Sequence, residues 1–267
     1  MRIAYLGTPE MAVAPLEALV VDGHDVALVV SRPPRRRGRG GTISPSPVHM
    51  AADSLGLRVS HVVDDVLGAG AELGVVVAFG QLIKPHVLAV LPMVNLHLSL
   101  LPRWRGAAPV ERAILAGDDV TGVCVMEIAE GLDTGDVYAC VEVPIGARDT
   151  AAELRRRLVT VGTSLLVDEL HNGLGDPIPQ VGVATYAAKI TPGELRIDWT
   201  RPATELDRLV RVGGAWTTWR GRRIKVVAAD IIDGHLVPTV VQPDSKRPIA
   251  YTDWRRGARL AEGEWFE

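Results

Sequence analysis

Short runs of apolar residues alternate with segments of helical character along the first half of the chain. The runs occupy residues 3–6, 26–30, 75–79 and 94–98, and each is followed by glycine or serine. Their alternation with helices predicts an α/β fold with a Rossmann-like, doubly wound, mostly parallel sheet. Ligands of such sheets bind at the carboxyl ends of the strands, so we expect the functional site at the turns after the four runs.

The helix with the strongest signal begins at Thr150. Glu153 stands three residues later, which is the spacing of a capping box. Apolar residues then recur at helical spacing, and Asn172-Gly173 supplies a stop signal. The predicted apolar stripe consists of Leu154, Leu158, Val161 and Leu165. We expect this helix to cover the sheet.

The character of the chain changes near Trp199. Five of the six tryptophans lie in residues 199–267, and we expect them to belong mainly to a core. Two β-branched runs there, residues 224–227 and 236–241, flank Asp233-Gly234, a pair typical of tight hairpin turns. We therefore predict a large domain at 1–185, a linker at 186–198 and a small, β-rich, barrel-like domain at 199–267.

The overall composition is that of a globular protein. The chain has 267 residues, 47% of them hydrophobic, and a formal net charge of −3. These values disfavour disordered, collagen-like and coiled-coil proteins. Residues 199–267 carry a net charge of +3 and the preceding residues −6, so the acidic total does not exclude a nucleic-acid partner.

Cysteine use and hydropathy bear on the compartment. Cys124 and Cys140, the only cysteines, are too few for a disulfide framework or a thiolate zinc site, and their apolar neighbours favour two small core residues. The apolar start is too short for a signal peptide, and no uncharged stretch of about 20 residues could span a bilayer. We expect a cytoplasmic protein with no membrane partner.

The densest set of candidate functional residues begins at Asn95 and His97. Side chains alternate along a strand, so both project from the same face. An amide and an imidazole placed this way can stabilise the oxyanion of an acyl-transfer intermediate, and the imidazole can also move a proton. Asp133, in the glycine-bracketed segment 131–136, could orient that imidazole. Taken alone, these residues also fit ordinary strand-end and turn positions.

These residues belong to a set of motifs through which the sequence resembles the 10-formyltetrahydrofolate-dependent formyltransferases, and among them the methionyl-tRNA formyltransferase family. The resemblance covers nearly the whole chain, with the motifs in the family's order. The motifs are Gly7-Thr8-Pro9-Glu10, Pro45-Ser46-Pro47-Val48, Asn95-x-His97-x-Ser99-Leu100-Leu101-Pro102, Arg105-Gly106-Ala107-Ala108-Pro109, residues 131–136, Arg196-Ile197-Asp198-Trp199 and Asp253-Trp254-Arg255-Arg256-Gly257-Ala258-Arg259.

The resemblance implies that residues 1–185 form a catalytic domain for direct formyl transfer from 10-formyltetrahydrofolate, the cosubstrate, to initiator methionyl-tRNA. It implies a catalytic trio of Asn95, His97 and Asp133, and it implies no metal. Two sets of residues are implied to bind the folate. Ser99, Leu100, Leu101 and Pro102 would line its site, and Val77, Ala78, Phe79 and Gly80 would form the wall against which the pterin docks. We also expect a monomer.

Five arginines crowd one short segment near the end of the second run: Arg32, Arg35, Arg36, Arg37 and Arg39. Prolines and glycines exclude a stable helix there, so we predict a mobile basic loop. Such a loop can reach the phosphates of an acceptor stem, and we assign tRNA binding to Arg35, Arg36, Arg37 and Arg39.

The positively charged tail is a second candidate tRNA surface. It is shorter than the carboxyl-terminal barrel of the family, with the deficit between Val241 and Ser245, which predicts open strand edges or another covering.

Other functions fit parts of the sequence. The same trio would serve a sugar-nucleotide amine N-formyltransferase or a glycinamide formyltransferase. A folate- or nucleotide-binding module without catalysis would fit the short tail and the Rossmann-like start. Gly7-Thr8-Pro9-Glu10 lacks the G-x-G-x-x-G spacing, which disfavours a dinucleotide-dependent oxidoreductase.

Overall fold

The computed structural model describes residues 1–37, 41–259 and 265–267. The chain divides into two units, each assembled from three stretches. The first unit consists of Met1–Gly106, Val120–Pro144 and Arg155–Tyr186, and the second of Ala107–Asp119, Ile145–Leu154 and Ala187–Glu267. The expected domain boundaries at residues 185 and 199 stay predictions.

Strands and helices alternate through the first unit, and strands dominate the end of the second. The strands are β1 Arg2–Gly7, β2 Asp25–Val30, β3 Arg35–Arg37, β4 Thr42–Ser44, β5 Val59–Ser60, β6 Leu73–Val77, β7 Met93–His97, β8 Arg105–Gly106, β9 Val120–Glu127, β10 Val137–Pro144, β11 Tyr186–Ala187, β12 Trp216–Trp219, β13 Arg222–Ile232, β14 His235–Pro243 and β15 Ile249–Ala250. The α-helices are α1 Val13–Val21, α2 Pro47–Ser54, α3 Pro85–Leu88, α4 Pro109–Ala116, α5 Ala151–His171, α6 Ala203–Val212 and α7 Tyr251–Ala258. Short 3-10 helices cover Glu10–Ala12 and Val63–Gly68. Within the described ranges, no helix is both long and apolar enough to cross a membrane.

The first unit is built on a seven-stranded sheet with the strand order β10-β9-β7-β6-β1-β2-β5. The five neighbouring strands β7, β6, β1, β2 and β5 run parallel to one another. Strand β9 pairs antiparallel with β7, and β10 pairs antiparallel with β9. The four predicted runs correspond to β1, β2, β6 and β7, and the Rossmann-like, mostly parallel sheet is confirmed. The antiparallel pair was not predicted. On the edge strand β10 only Val143 is buried, although residues 137–141 are all apolar or aromatic.

Cys124 on β9 and Cys140 on β10 face each other in register and form a disulfide. The expectation of two small core residues is therefore correct for Cys124 and wrong for Cys140, and it did not include their pairing. Cys124 is fully buried, but Cys140 is exposed on the edge strand. The two side chains meet because antiparallel pairing sets residues of neighbouring strands directly opposite each other. The expectation of a cytoplasmic protein therefore has no support from the cysteines.

The capping box predicted at the start of α5 is confirmed. Oε2 of Glu153 accepts hydrogen bonds from the backbone N and from Oγ1 of Thr150, at 3.0 and 2.6 Å. The backbone N of Glu153 donates to Oγ1 of Thr150 at 3.3 Å. Two residues close in sequence satisfy the helix terminus between them, which is why the sequence alone reveals it.

The buried face of α5 differs from the predicted stripe in its second half. Val161 and Leu165 are partly exposed, and burial follows a spacing of four residues instead. The buried positions of this face are Leu154, Leu158, Gly162, Leu166 and Leu170. At Gly162, a Cβ would lie 2.8 Å from Cγ2 of Val123 on β9 and 3.3 Å from the methyl groups of Leu96 on β7. The glycine thus lets α5 pack directly on these strands.

The second unit contains a four-stranded antiparallel sheet in the order β12-β13-β14-β15. Asp233 and Gly234 form the predicted hairpin turn, with φ of +49° and +77°. Both angles lie in the left-handed region, which glycine favours and aspartate tolerates. The predicted β-rich unit is confirmed.

An aromatic cluster packs against this sheet. Trp254 of α7 stacks on Phe266 at 5.4 Å between ring centres and meets Trp219 of β12 edge-on at 5.2 Å. Trp199 stacks on the same phenylalanine at 5.5 Å. Trp254 and Phe266 are buried, so these tryptophans serve the core as expected. Helix α7 and the aromatic rings cover part of this sheet, and the shortened barrel stays a prediction.

We expect Gly162→Ala to destabilise the protein, although alanine favours helices over glycine. The new methyl group would meet Val123, a β-branched residue fixed in the sheet, and overpacking of this kind costs about 1–3 kcal/mol. The measurement is the urea midpoint of unfolding. Ser164→Ala, on the exposed side of α5, is the matched control and should leave the midpoint unchanged or slightly higher. A midpoint for Gly162→Ala at or above the native value would contradict the close packing of α5.

Candidate active site

Strand β7 carries the two residues predicted to bind an oxyanion. Asn95 lies opposite Val76 of β6 and Met126 of β9, and it is half-buried. His97, at the end of the strand, is 6% exposed. Leu96 stands between them and projects to the other face, where it packs beneath α5. The apolar packing of that face fixes Asn95 and His97 on the opposite one.

Both ring nitrogens of His97 face protein groups. Nε2 lies 3.0 Å from the carbonyl oxygen of Trp104, and because a carbonyl only accepts, this nitrogen carries a proton. The backbone N of Trp104 in turn donates to Oγ1 of Thr185 at 2.9 Å. Nδ1 lies 3.7 Å from Oδ2 of Asp133, beyond hydrogen-bonding distance but close enough for an ion pair. The structure thus brings His97 and Asp133 together, with Nδ1 as the nitrogen that can take up a further proton.

Asp133 stands on a turn. Its φ is +49°, in the left-handed region, which aspartate adopts more readily than most residues with a side chain. The backbone N of Gly106 donates to its Oδ2 at 2.7 Å. Gly135 allows the same loop to lie against the end of β9, because a Cβ there would collide with the carbonyl of Glu127. Contacts with two other segments therefore position this carboxylate.

Gln180 contacts this loop directly, and the sequence analysis missed it. Its Nε2 donates to the carbonyl oxygens of Asp133 and Gly135, at 2.9 and 2.8 Å. Its Oε1 accepts from Nε and Nη2 of Arg105, at 3.0 and 2.6 Å. The glutamine lies 45 to 75 residues from these partners along the chain, in a stretch without regular secondary structure. No local pattern could have revealed it.

A half-buried tyrosine lies at the base of the same loop. The hydroxyl of Tyr138 on β10 donates to Oε1 of Glu127 at 3.1 Å. Burial, together with the carboxylate of Glu127, raises the pKa of Tyr138 to about 12, so the phenol is neutral at physiological pH. The backbone N of Glu127 donates to the carbonyl oxygen of Asp136 at 2.8 Å. These contacts fasten the loop to the end of β9.

The predicted folate residues after β7 differ in exposure. Ser99 is fully buried, and its Oγ donates to the carbonyl oxygen of Arg103 at 2.6 Å. Leu100, Leu101 and Pro102 are half-buried, and the peptide bond before Pro102 is cis. The hydroxyl of Ser99 therefore shapes the loop, while the three following residues present part of their surface to solvent.

The predicted pterin wall follows β6 at the carboxyl edge of the sheet. Val77 and Phe79 are buried, whereas Ala78 and Gly80 are exposed, with φ of +47° and +72°. Oγ1 of Thr8, after β1, donates to the carbonyl oxygen of Phe79 at 3.0 Å and so ties the ends of two neighbouring strands. Ala78 and Gly80 are the members of this set that a ligand could touch directly.

The arginine segment forms a hairpin where a loop was predicted. β3 pairs antiparallel with β4, and Arg36 lies opposite Ile43. The prediction of a mobile basic loop is therefore wrong as to the loop for residues 35–37, because they form a strand that pairs with β4, although the exclusion of a helix is correct. Arg35 and Arg36 are exposed, the backbone of Arg37 belongs to β3, and Arg39 lies outside the described residues.

The basic tail covers its tryptophan rings with arginines. The guanidinium of Arg223 lies 4.2 Å from the ring centre of Trp216, and that of Arg196 lies 5.7 Å from it. Arg220 lies over Trp219 at 4.3 Å. These are cation–π distances. The tail as a tRNA surface stays a prediction.

Two family models match the chain. The formyl transferase model matches residues 1–170, which contain Asn95, His97 and Asp133, and the formyl transferase C-terminal domain model matches residues 189–238. The chain belongs to the formyl transferase family. This finding confirms the resemblance drawn from the sequence motifs.

Individual formyl transferases resemble the chain to different degrees. The methionyl-tRNA formyltransferase of Ruegeria pomeroyi is 44% identical over 263 residues, which cover 92% of this chain and 87% of the relative. The solved structure of the methionyl-tRNA formyltransferase from Clostridium thermocellum has a TM-score of 0.68 at 16% identity and covers 91% of this chain and 98% of its own. The N-formyltransferase from Helicobacter canadensis, in complex with folinic acid and dTDP-3-aminofucose, has a TM-score of 0.68 at 17% identity, with 93% and 98% covered. The two structures share the fold with this chain.

Proposed function

We propose that this formyl transferase moves the formyl group of 10-formyltetrahydrofolate to the α-amine of initiator methionyl-tRNA, for translation initiation. The observation that carries the proposal is the 44% identity, over 92% of the chain, to a relative named methionyl-tRNA formyltransferase. The 3.7 Å pair of His97 and Asp133 at the end of β7 supports it, because formyl transfer from nitrogen to nitrogen needs a group that moves a proton.

In the proposed reaction, the amide of Asn95 donates a hydrogen bond to the formyl oxygen, and the imidazolium of His97, formed when Nδ1 takes up the proton of the amine, stabilises the negative charge on that oxygen. The amine nitrogen bonds to the formyl carbon, and the bond from that carbon to N10 of the folate then breaks. His97 accepts the proton of the attacking amine at Nδ1, where Asp133 stabilises the imidazolium, and returns it to the departing N10. The products are formylmethionyl-tRNA and tetrahydrofolate.

Positioning of the two substrates supplies much of the rate advantage, because it turns a bimolecular step into an effectively unimolecular one. The proposed donor site comprises Ser99, Leu100, Leu101 and Pro102 with Val77, Ala78, Phe79 and Gly80. An amide, an imidazole and a carboxylate account for the charge and the proton, so the proposal includes no metal. The proposed active species is a monomer.

The sugar-nucleotide alternative is not favoured. The structure in complex with dTDP-3-aminofucose shares 17% identity with this chain, which is evidence of a common fold and no more. A binding module without catalysis is not favoured either, since Asn95, His97 and Asp133 are all present and the last two lie within 3.7 Å of each other.

The acceptor can be tested with the purified protein and 10-formyltetrahydrofolate. Methionyl-tRNA, a dTDP-amino sugar and glycinamide ribonucleotide are offered separately, and release of tetrahydrofolate is followed with time. We expect release with methionyl-tRNA alone, together with formylmethionyl-tRNA. A higher kcat/KM with either small acceptor would contradict the proposed substrate, and no release with any of the three would contradict formyl transfer itself.

Replacing Arg35, Arg36, Arg37 and Arg39 together by alanine should weaken the use of tRNA while leaving the KM for the folate donor unchanged. For each of these arginines that neutralises a phosphate, the slope of log affinity against log salt should become shallower by about 0.7–0.9. The measurement is the KM for methionyl-tRNA over a range of salt concentrations. Arg156→Ala, an exposed arginine of α5, is the control and should keep the native slope. If the fourfold variant keeps the native slope, the four arginines do not bind the phosphates of the tRNA.

A further inference from the structure

Gln180 lies outside the motifs that identify the family. Its side chain nevertheless connects Arg105 to the loop that carries Asp133. We infer that Gln180 is a positioning residue for formyl transfer, which holds the loop 131–136 so that the carboxylate of Asp133 stays opposite His97. This inference rests on the proposed function of the site. The side chain of Gln180 bonds to protein groups and is not assigned any contact with the reacting atoms.

The hydrogen bonds of Gln180 specify an amide in one orientation. Arg105 only donates, so it requires an acceptor, and two of its N–H groups reach Oε1 at 3.0 and 2.6 Å. The carbonyl oxygens of Asp133 and Gly135 only accept, so they require donors, and Nε2 supplies them at 2.9 and 2.8 Å. All of the hydrogen-bonding capacity of the side-chain amide is therefore used, and neither a carboxylate nor a hydroxyl could replace it.

The contacts of Gln180 close a ring around the carboxylate. Arg105, bonded to Gln180, is followed by Gly106, whose backbone N donates to Oδ2 of Asp133 at 2.7 Å. Gln180 holds the main chain of Asp133 while Gly106 holds its side chain. A shift of the loop would lengthen both sets of hydrogen bonds at once, so the ring resists displacement of the carboxylate from His97.

The hydrogen bonds of Gln180 act on the part of the loop around Asp133. The bond from the backbone N of Glu127 holds Asp136 at the far end of the loop, whereas the side chain of Leu132, next to Asp133, is 61% exposed. A segment with few buried apolar contacts depends on hydrogen bonds to other segments for its conformation. Gln180 supplies two of these bonds.

The first test is Gln180→Ala in single-turnover transfer from 10-formyltetrahydrofolate to methionyl-tRNA. We expect the rate at saturating substrates to fall about 10- to 100-fold, the size of effect that follows from misplacing a reacting group by about 1 Å. Affinity for donor and tRNA should stay near native. Val181→Ala, an 85% exposed neighbour in the same segment, is the matched control and should keep the native rate. A native rate in Gln180→Ala would overturn the inference.

Gln180→Glu is a second variant that tests the same inference if Gln180→Ala does not fold. It keeps the shape of the side chain and the contact with Arg105, but it places a carboxylate oxygen where Nε2 meets two carbonyl oxygens. The loop should be displaced and transfer should slow as in the alanine variant. Native transfer by Gln180→Glu would overturn the inference.

The effect of Gln180→Ala in a protein that also carries Asp133→Asn distinguishes positioning of the Asp133 carboxylate from general stabilisation of the fold. If Gln180 acts through the Asp133 carboxylate, Gln180→Ala should slow transfer much less in that background than in the native protein. An equal slowing in both backgrounds would overturn the inference, since a merely structural role would give that result. Failure of the native protein to formylate methionyl-tRNA would contradict the proposed function instead, so the two failures are distinguishable.

Discussion

The hydrogen bond from the backbone amide of Gly106 to the carboxylate of Asp133 joins two segments 27 residues apart and fixes the electrostatics of the site. The same oxygen, Oδ2, accepts this bond at 2.7 Å and faces Nδ1 of His97 at 3.7 Å. An amide orients a carboxylate without neutralising it, so the negative charge remains available to an imidazolium. Arg105, the preceding residue along the chain, directs two of its N–H groups to the neutral amide of Gln180.

The rest of the first unit holds the partner of that carboxylate in place. His97 ends strand β7, which pairs with β6 on one side and with β9 on the other. Leu96 of the same strand packs against α5 on the opposite face of the sheet. The absence of a side chain at Gly162 makes this close approach possible. The imidazole is therefore fixed by a packed sheet, and the carboxylate by hydrogen bonds from outside its own loop. Proton transfer needs both the imidazole and the carboxylate in place, and each is held by contacts from outside its own segment.

Features set by neighbouring residues could be predicted from the sequence. The capping box of Thr150 and Glu153 and the hairpin turn at Asp233-Gly234 both depend on side chains or φ angles within a few positions. Asn95 and His97 could be assigned to one face because side chains alternate along any strand. These features follow from local stereochemistry and do not require knowledge of the fold.

Features set by distant residues could not be predicted. Cys124 and Cys140 pair because β10 returns beside β9 in antiparallel register, and the sequence around each cysteine does not indicate which strand lies opposite it. The stripe on α5 shifts toward Leu166 and Leu170 because the helix packs where Gly162 permits it, which depends on Val123 and Leu96. Gln180 has no local signal, since its partners are recognisable only once the loop and the strand ends have been brought together.

The coupling between His97 and Asp133 is most directly measured in a double-mutant cycle. The single-turnover rate of formyl transfer to methionyl-tRNA is compared among the native protein, His97→Ala, Asp133→Asn and the double variant. We expect His97→Ala to lose on the order of 10²-fold or more. If Asp133 acts only through His97, the double variant should be no slower than His97→Ala alone. A double variant slowed by the product of the two single losses would contradict this coupling.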